Sequence, residues 1–191
     1  MLWRRNQRRV DLSEDLPSGP RGRVWQARLT VMILRCTAKA RSLLGVRALA
    51  DVPPGDDDWY LNLLWFDRRK CLLLAHVGTL FPVFVADVRK ADLNPLDLWL
   101  ASAVRRELNA EGLPGSVLGD LAAPVVVAKT ASRQTLGFMN EIGRFAESAI
   151  ADAGGLAQCD VGELNCKHRR MLHNRDGRYA TPLDLVAERL T

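Results

Sequence analysis

The alternation of apolar and polar positions predicts that a strand, a helix and a loop follow one another from residue 31. Val31 to Thr37 consists largely of β-branched and apolar residues, as strands do. Ala38 to Leu44 follows as one short helix that ends at Gly45. Residues 51–58 combine prolines, a glycine and aspartates, which predicts a loop before the next element.

Three strands with short connections come next and predict an antiparallel meander. The first is Trp59 to Phe66, and its period of two separates the side chains onto two faces. One face carries Tyr60, Asn62, Leu64 and Phe66, and the other carries Trp59, Leu61, Leu63 and Trp65. Lys70 to Val77 and Leu80 to Val85 are the other two strands. Pro82 cannot donate to a strand ladder, which predicts an edge position or a bulge.

Two longer amphipathic segments predict the main helices. Asn94-Pro95 opens the first with a cap residue and a proline at the first helical position, and Gly112 ends it. The second runs from about Gln134 to Ala153 and follows a buried strand at Val125 to Ala128.

Together these elements predict an α+β domain over residues 32–191, an antiparallel β meander of three or more strands packed against two main helices. Residues 156–175 are irregular, with room for one short helix, and Thr181-Pro182 opens a C-terminal helix. Residues 1–31 are rich in Arg, Pro and Gly, which predicts a basic, flexible N-terminal arm. The alternative is a non-native extension upstream of a start at Met32.

The positive charge is concentrated in that arm. Residues 1–31 hold seven of the 27 Lys and Arg residues and three of the 22 Asp and Glu residues. The other positions therefore carry 20 basic against 19 acidic groups. The net charge of +5 thus gives little reason to expect that the folded part binds nucleic acid through its overall charge.

Composition and cysteine usage predict a cytoplasmic protein. With 191 residues, 48% of them apolar, the chain is long enough for a core without disulfides. Cys36 and Cys71 lie in apolar runs, as reduced and buried thiols do. The N-terminus has no apolar signal region, and the apolar stretch at 71–86 is broken by Gly and Pro. We therefore expect no membrane span.

The turn before the second main helix is the first candidate site. Lys129, Thr130, Ser132 and Arg133 stand where a strand ends and a helix begins, so that free N–H groups and the helix dipole favour an anion. Asn140, in the early turns of the helix, extends this surface. A phosphate of a nucleotide or of RNA is the expected ligand, although the spacing is not that of a P-loop. The alternative is a capping Ser132, a carboxylate-paired Arg133 and a solvated Lys129.

Arg35, Tyr60 and Asn62 form the second candidate because they are polar side chains within apolar strands. Buried polar groups must find partners or line a site. In a cleft, Arg35 and Arg133 would hold a phosphodiester, and Tyr60 or Thr130 would handle a proton. The candidate catalytic residues are therefore Arg133, Thr130 and Tyr60. The alternative is that Asn62 bridges neighbouring backbone, and the sequence leaves open whether the chain is an enzyme.

A basic segment from Cys166 to Tyr179 is the third candidate. It includes Lys167, Arg169 and Arg170 and one aromatic residue, a composition that suits a phosphate backbone and a stacked base. A solvated basic loop is the alternative. The cysteines and histidines of this region lack the paired spacing of zinc ligands, so we predict no metal site. No pattern in the sequence requires a cofactor.

Three blocks of the sequence resemble a bacterial family known as a domain of unknown function. They are the strand that opens at Met32, the Trp-Tyr-x-Asn block at residues 59–62, and the Arg-x-x-Leu-Gly-x-Met-Asn block at residues 133–140. The resemblance covers about residues 32–190 and implies a shared fold and candidate surface, without an established reaction. The chain departs from the family pattern at Ser132, Thr135 and Glu141.

Two functions of different classes follow from these observations. The first is the toxin-like component of a toxin–antitoxin module acting on RNA or a nucleotide, which would have nucleic acid or a nucleotide and an antitoxin as partners. The second is a non-catalytic protein-binding module that partners a regulator. An enzyme acting on a small metabolite is a third class, and no pattern in the sequence indicates an oligomeric state.

Overall fold

The computed structural model describes residues 30–175 and 177–191, which form a mixed sheet, a small hairpin and helices on both sides of the sheet. The strands are β1 Met32–Cys36, β2 Trp59–Phe66, β3 Arg69–His76, β4 Pro82–Val85, β5 Val125–Lys129, β6 His173–Arg175 and β7 Arg178–Ala180. The helices are α1 Ala38–Leu44, a short 3-10 helix Lys90–Leu93, α2 Leu96–Ala110, α3 Arg133–Asp152, α4 Val161–Arg169 and α5 Pro182–Ala187. The predicted N-terminal arm, up to residue 29, lies outside the described residues.

The main sheet has the strand order β4-β3-β2-β1-β5. Its antiparallel half, β2-β3-β4, is the predicted meander, which is confirmed. The prediction of an antiparallel sheet is wrong for the other half, because β1 lies between β2 and β5 and runs parallel to both. Parallel neighbours need a crossover connection, and α1 supplies it between β1 and β2.

The hairpin of β2 and β3 keeps the predicted alternation of faces along its whole length. Its turn consists of Asp67 and Arg68, which both have positive φ, 48° and 61°. This backbone geometry is that of a two-residue turn whose twist matches the strands that it joins. The pairing then runs without interruption from Phe66 and Arg69 to Trp59 and His76.

Each face of the sheet carries its own core. On the first face, the buried Trp59 and Leu61 of β2 pack with α1, α2 and α5. On the second face, the buried Tyr60 packs with α3 and α4. The two predicted main helices are confirmed as α2 and α3, but the predicted start of α2 is wrong by one residue, because Pro95 is the cap and Leu96 the first helical residue. Because α2 and α3 cover opposite faces, the sheet is the middle of three layers.

β4 is an edge strand, as Pro82 predicts. A single side chain from α4 closes its outer side. Asn165 accepts a hydrogen bond from Phe84 N at 2.7 Å and donates one to Phe84 O at 2.9 Å. The fully buried Asn165 thus takes the place of a further strand, and such closure keeps a strand edge from pairing with another chain.

The C-terminal region is more regular than the sequence predicts. Residues 156–175 contain α4, the short helix that the prediction allowed, capped by the side chain of Asp160. The hairpin of β6 and β7 was not predicted, because its three-residue strands are too short for an alternation to appear. Thr181 and Asp184 form a capping box at the start of α5, so the predicted C-terminal helix is confirmed.

None of the helices within residues 30–175 and 177–191 combines the length and the hydrophobicity that a membrane-spanning helix needs.

Candidate functional site at the ends of the parallel strands

β1 and β5 end side by side, while β2 continues past them. Cys36 at the end of β1 pairs with Lys129 at the end of β5 and with Leu61 within β2. Because β2 runs on to Phe66, about 16 Å of strand stands beyond its neighbour, at 3.3 Å per residue. The three strands therefore frame a notch, with the ends of β1 and β5 as its floor and β2 as its wall.

The notch lies at a switch point of the topology. After β1 the chain enters α1, whose buried Ala40 and Leu43 belong to the first core. After β5 the chain enters α3, whose buried Phe138 and Ile142 belong to the second core. After the neighbouring parallel strands β1 and β5, the chain thus continues to opposite faces of the sheet. This arrangement leaves a crevice outside their carboxyl ends, where ligands of α/β sheets bind.

Tyr60 supports the beginning of α3. Its buried hydroxyl accepts hydrogen bonds from the amides of Ala131 and Ser132, at 2.7 and 2.6 Å. The hydroxyl of Ser132 in turn caps the helix by accepting an amide of the first turn. The amides of Arg133 and Gln134 find no acceptor among the described residues. These two amides are therefore the donors that this helix end offers to a ligand.

Two exposed cations flank these amides. Lys129 ends β5 and Arg133 begins α3. Within the part of the chain that the structure describes, neither side chain has an ion-pair partner. Ser132 does cap the helix, but among the described residues no carboxylate pairs with Arg133, as the alternative interpretation had assigned. The local charge and the helix dipole both favour an anion at this position.

Arg35 lies beneath the notch and holds the scaffold together. It is 2% exposed, and its Nε donates to Asp58 at 2.5 Å. Its Nη1 donates to the carbonyl oxygen of Lys129 at 2.8 Å, and its Nη2 donates to two carbonyl oxygens of the loop 51–58. All three side-chain nitrogens of Arg35 therefore donate hydrogen bonds to groups of the scaffold. The guanidinium is not placed to hold a phosphodiester beside Arg133.

Asn62 stands in the notch one residue beyond the end of β1. Its Oδ1 accepts a hydrogen bond from the hydroxyl of Thr37 at 3.0 Å, so its partner is a side chain and not the backbone. The Nδ2 group has no partner among the described residues and is available as a donor. Thr130 is half-buried in the turn between β5 and α3, and its hydroxyl is likewise without a described partner.

Asn140 lies further along α3, where this helix faces the overhanging part of β2. A cavity of about 330 Å³ opens there, and its lining includes Leu64, Phe66, Met139 and Asn140. Gly143 of α3 faces Leu64 of β2 here, since a Cβ at this position would lie in ordinary contact, 3.6 Å from Leu64 Cδ1. We call this cavity the β2–α3 groove.

The third candidate segment lies at the opposite edge of the sheet. α4 packs on β4, which is the edge strand farthest from β5. Arg169 is 1% exposed and donates to Glu107 of α2 and to Glu111, the C-cap residue of α2, at 2.8 Å each. This ion pair is enclosed between α2 and α4, so Arg169 is not accessible to a phosphate in solution.

Lys167 and Arg170, the other two candidate residues of this segment, are paired as well. Arg170 donates to the second oxygen of Glu111, and this hydrogen bond keeps the pKa of Glu111 below its usual range. Lys167 pairs with Glu163 one helical turn away, at the surface. The structure therefore does not bring Lys167, Arg169 and Arg170 together with the cations of the notch.

Two features of the site were not predicted from the sequence. The first is Thr37, although a threonine between a strand and a helix is a typical N-cap. The second is the β2–α3 groove. It forms because β2 extends beyond the end of β1, and the sequence does not show the register between strands. Among the described residues, no cluster of His, Cys, Asp and Glu is arranged to hold a metal ion.

Tyr60→Phe removes only the hydroxyl that accepts the two amides before α3. We expect a loss of about 1–3 kcal/mol in the free energy of unfolding, because half-buried donors lose their acceptor. Urea denaturation measures this loss. Tyr179→Phe is the matched control, since Tyr179 is 69% exposed, and it should change stability by less than about 0.5 kcal/mol. Equal effects of the two changes would contradict the role of Tyr60.

Fold and notch together define a three-layer α/β protein with a crevice at the ends of its parallel strands. Residues 33–185 match the family described as Domain of unknown function (DUF6933), and the chain belongs to this family. The resemblance to a domain of unknown function is thereby confirmed. No curated protein matches the sequence.

Proposed function

We propose that the chain binds a phosphate group of a nucleotide or of RNA in the notch. The observation that carries this proposal is the start of α3, where the amides of Arg133 and Gln134 lack acceptors among the described residues and two unpaired cations stand beside them. A phosphate at such a helix end gains from the dipole, from the amides and from charge-assisted hydrogen bonds.

The same geometry supports binding more strongly than catalysis. The hydroxyl of Tyr60 already accepts two amides, and Arg35 is engaged on all its nitrogens. Of the candidate catalytic residues, Arg133 and Thr130 remain for a ligand, and an arginine stabilises charge without taking up a proton. A toxin-like role is compatible with binding alone, because sequestering an essential nucleotide or RNA arrests growth.

Arg133→Ala should weaken binding of a phosphate ligand by tenfold or more, because a charge-assisted hydrogen bond contributes about 1.5–3 kcal/mol. Titration calorimetry with ribonucleotides and with a short single-stranded RNA measures this change. Arg105→Ala, an exposed arginine of α2, removes the same charge elsewhere and should leave the affinity unchanged. If both variants bind like the wild type, the notch is not the phosphate site.

Growth of a bacterial host separates the toxin-like role from binding alone. The wild type, the Arg133→Ala variant and a form that starts at Met32 are each expressed in the cytoplasm under tight induction. A toxin-like role predicts arrest by the wild type and by the Met32 form, and normal growth with Arg133→Ala. Normal growth with all three, while soluble protein accumulates, would remove the toxin-like role and leave the binding proposal to calorimetry.

The free edge of β2 favours a non-catalytic protein-binding module as the alternative. Leu61 O accepts the amide of Thr37, so the odd-numbered residues of β2 direct their backbone groups toward the β1 side. Beyond the end of β1, the backbone groups of Leu63 and Trp65 therefore face the notch, and the Trp65 side chain is 54% exposed. An extended segment of a regulator could add to this edge. Its binding should survive Arg133→Ala and fail with Trp65→Ala.

A further inference from the structure

The β2–α3 groove is a continuation of the notch, and we infer that it holds the base of the ligand whose phosphate binds at the start of α3. The ligand is then a free nucleotide or an unpaired nucleotide of single-stranded RNA. This inference rests on the proposed phosphate site and identifies the rest of the molecule that the site would take.

The groove and the phosphate site lie between the same two elements. Tyr60 bonds to the start of α3, and Leu64 contacts Gly143 further along, so strand and helix run beside each other over this length. Asn62, with its available Nδ2 group, stands between the two contacts. From Arg133 to Asn140, where the groove begins, the helix rises about 10 Å, so the phosphate site and the groove lie about two helical turns apart.

The lining of the groove suits a base. Its floor is apolar, formed by Leu64, Phe66 and Met139, and its rim is polar, with Asn140 and Glu147. An asparagine presents a donor and an acceptor side by side, which is how this residue reads the edge of a base. A cavity of about 330 Å³ lined by both apolar and polar side chains has the size of a small-ligand site. A sugar phosphate alone would leave the apolar floor uncovered.

The chemistry also selects single-stranded over double-stranded RNA. Bases of a duplex are stacked and paired, so their faces and edges are not available to a groove in a protein surface. Unpaired bases can be placed on apolar and aromatic side chains and recognised at their edges. Arg144 on the rim adds a guanidinium that can stack on a base or pair with a neighbouring phosphate.

Gly143 provides a way to fill the groove without changing the phosphate site. A Cβ at this position lies at ordinary contact distance from Leu64, so the side chain of Gly143→Met would extend into the groove. Ser148, on the same helix, is exposed and does not line the groove. Ser148→Met is therefore the control, because it adds the same side chain to α3 outside the groove and outside the stretch from Arg133 to Asn140.

The full chain, both variants and Arg133→Ala are titrated by calorimetry with the four ribonucleoside monophosphates and with ribose 5-phosphate. We expect at least one nucleotide to bind the wild type tenfold or more tightly than ribose 5-phosphate, because stacking of one base contributes on this scale. Gly143→Met should abolish that preference while it keeps the affinity for ribose 5-phosphate, which shows that the variant is folded. Ser148→Met should keep both affinities.

Two kinds of failure are distinguishable in this experiment. If ribose 5-phosphate binds as tightly as every nucleotide, or if Gly143→Met keeps the nucleotide preference, the groove holds no base and this inference is overturned while the phosphate site stands. If none of these ligands binds, or if Arg133→Ala weakens none of them, the proposed function itself fails and the inference fails with it.

Discussion

Replacing Arg35 with methionine should lower the free energy of unfolding by about 3–5 kcal/mol, because it leaves a buried carboxylate without its cation. Asp58 is 5% exposed and has the Arg35 guanidinium as its charge partner at 2.5 Å. The same substitution removes the donors for the carbonyl of Lys129 and for the loop 51–58. Methionine has a side chain of similar length but no charge. The loss of stability therefore measures the contribution of the polar network and not the effect of a cavity.

Urea denaturation at neutral pH measures this loss, and Arg69→Met is the matched control. Arg69 pairs with Asp87 at 3.0 Å, but both side chains are about half exposed, so its loss should stay below about 1 kcal/mol. Adding Asp58→Leu to Arg35→Met should recover part of the stability, since no buried charge then remains unpaired. A loss no larger than that of Arg69→Met would show that Arg35 does not hold the scaffold.

The antiparallel half of the sheet was predictable because its determinants are local. The period of two from Trp59 to Phe66, a short turn and Pro82 at an edge are each written within a few residues. The parallel half was not predictable in the same way. Met32 to Cys36 and Val125 to Lys129 are short apolar strands, and such runs do not indicate the direction of their neighbours. Their pairing depends on contacts across about 90 residues.

The candidate site likewise has a part that was predictable from the local sequence and a part that was not. The start of α3 was predictable because a serine cap, a following arginine and a preceding strand form one local pattern. The roles of Arg35 and Arg169 were not, because their carboxylate partners lie 23 and 62 residues away along the chain. The local sequence around a basic residue does not show whether its side chain faces solvent or a buried glutamate. Only the ion pairs with Glu107 and Glu111, which the fold brings together, show that Arg169 belongs to the interior.

Acid should destabilise the domain between about pH 6.5 and pH 4, because two histidines are held neutral in the interior. Burial lowers the pKa of His76 to about 3, with a further contribution from Arg189. Burial also lowers the pKa of His168 to about 4, with contributions from Arg169 and His173.

The sign of this effect follows from proton uptake. The unfolded chain protonates each histidine near pH 6.5, whereas the folded chain does not until pH 4 or below, so unfolding takes up protons. Stability is therefore complete above pH 6.5 and falls as the pH is lowered, by about 1.4 kcal/mol per pH unit for each histidine. Below the folded-state pKa of each group its contribution levels off. Urea denaturation at a series of pH values measures the slope.

His168→Leu isolates one of the two groups. Neither ring nitrogen of His168 has a hydrogen-bond partner among the described residues, so leucine removes an unsatisfied buried group and should not lower stability at pH 7. It should reduce the slope between pH 6.5 and pH 4 by about half, since His76 still contributes. His173→Leu is the contrast, because it breaks a hydrogen bond to Glu141 at 3.2 Å and should cost stability at pH 7. If His168→Leu loses stability with acid as steeply as the wild type, the neutral buried imidazole of His168 is not a source of the acid sensitivity.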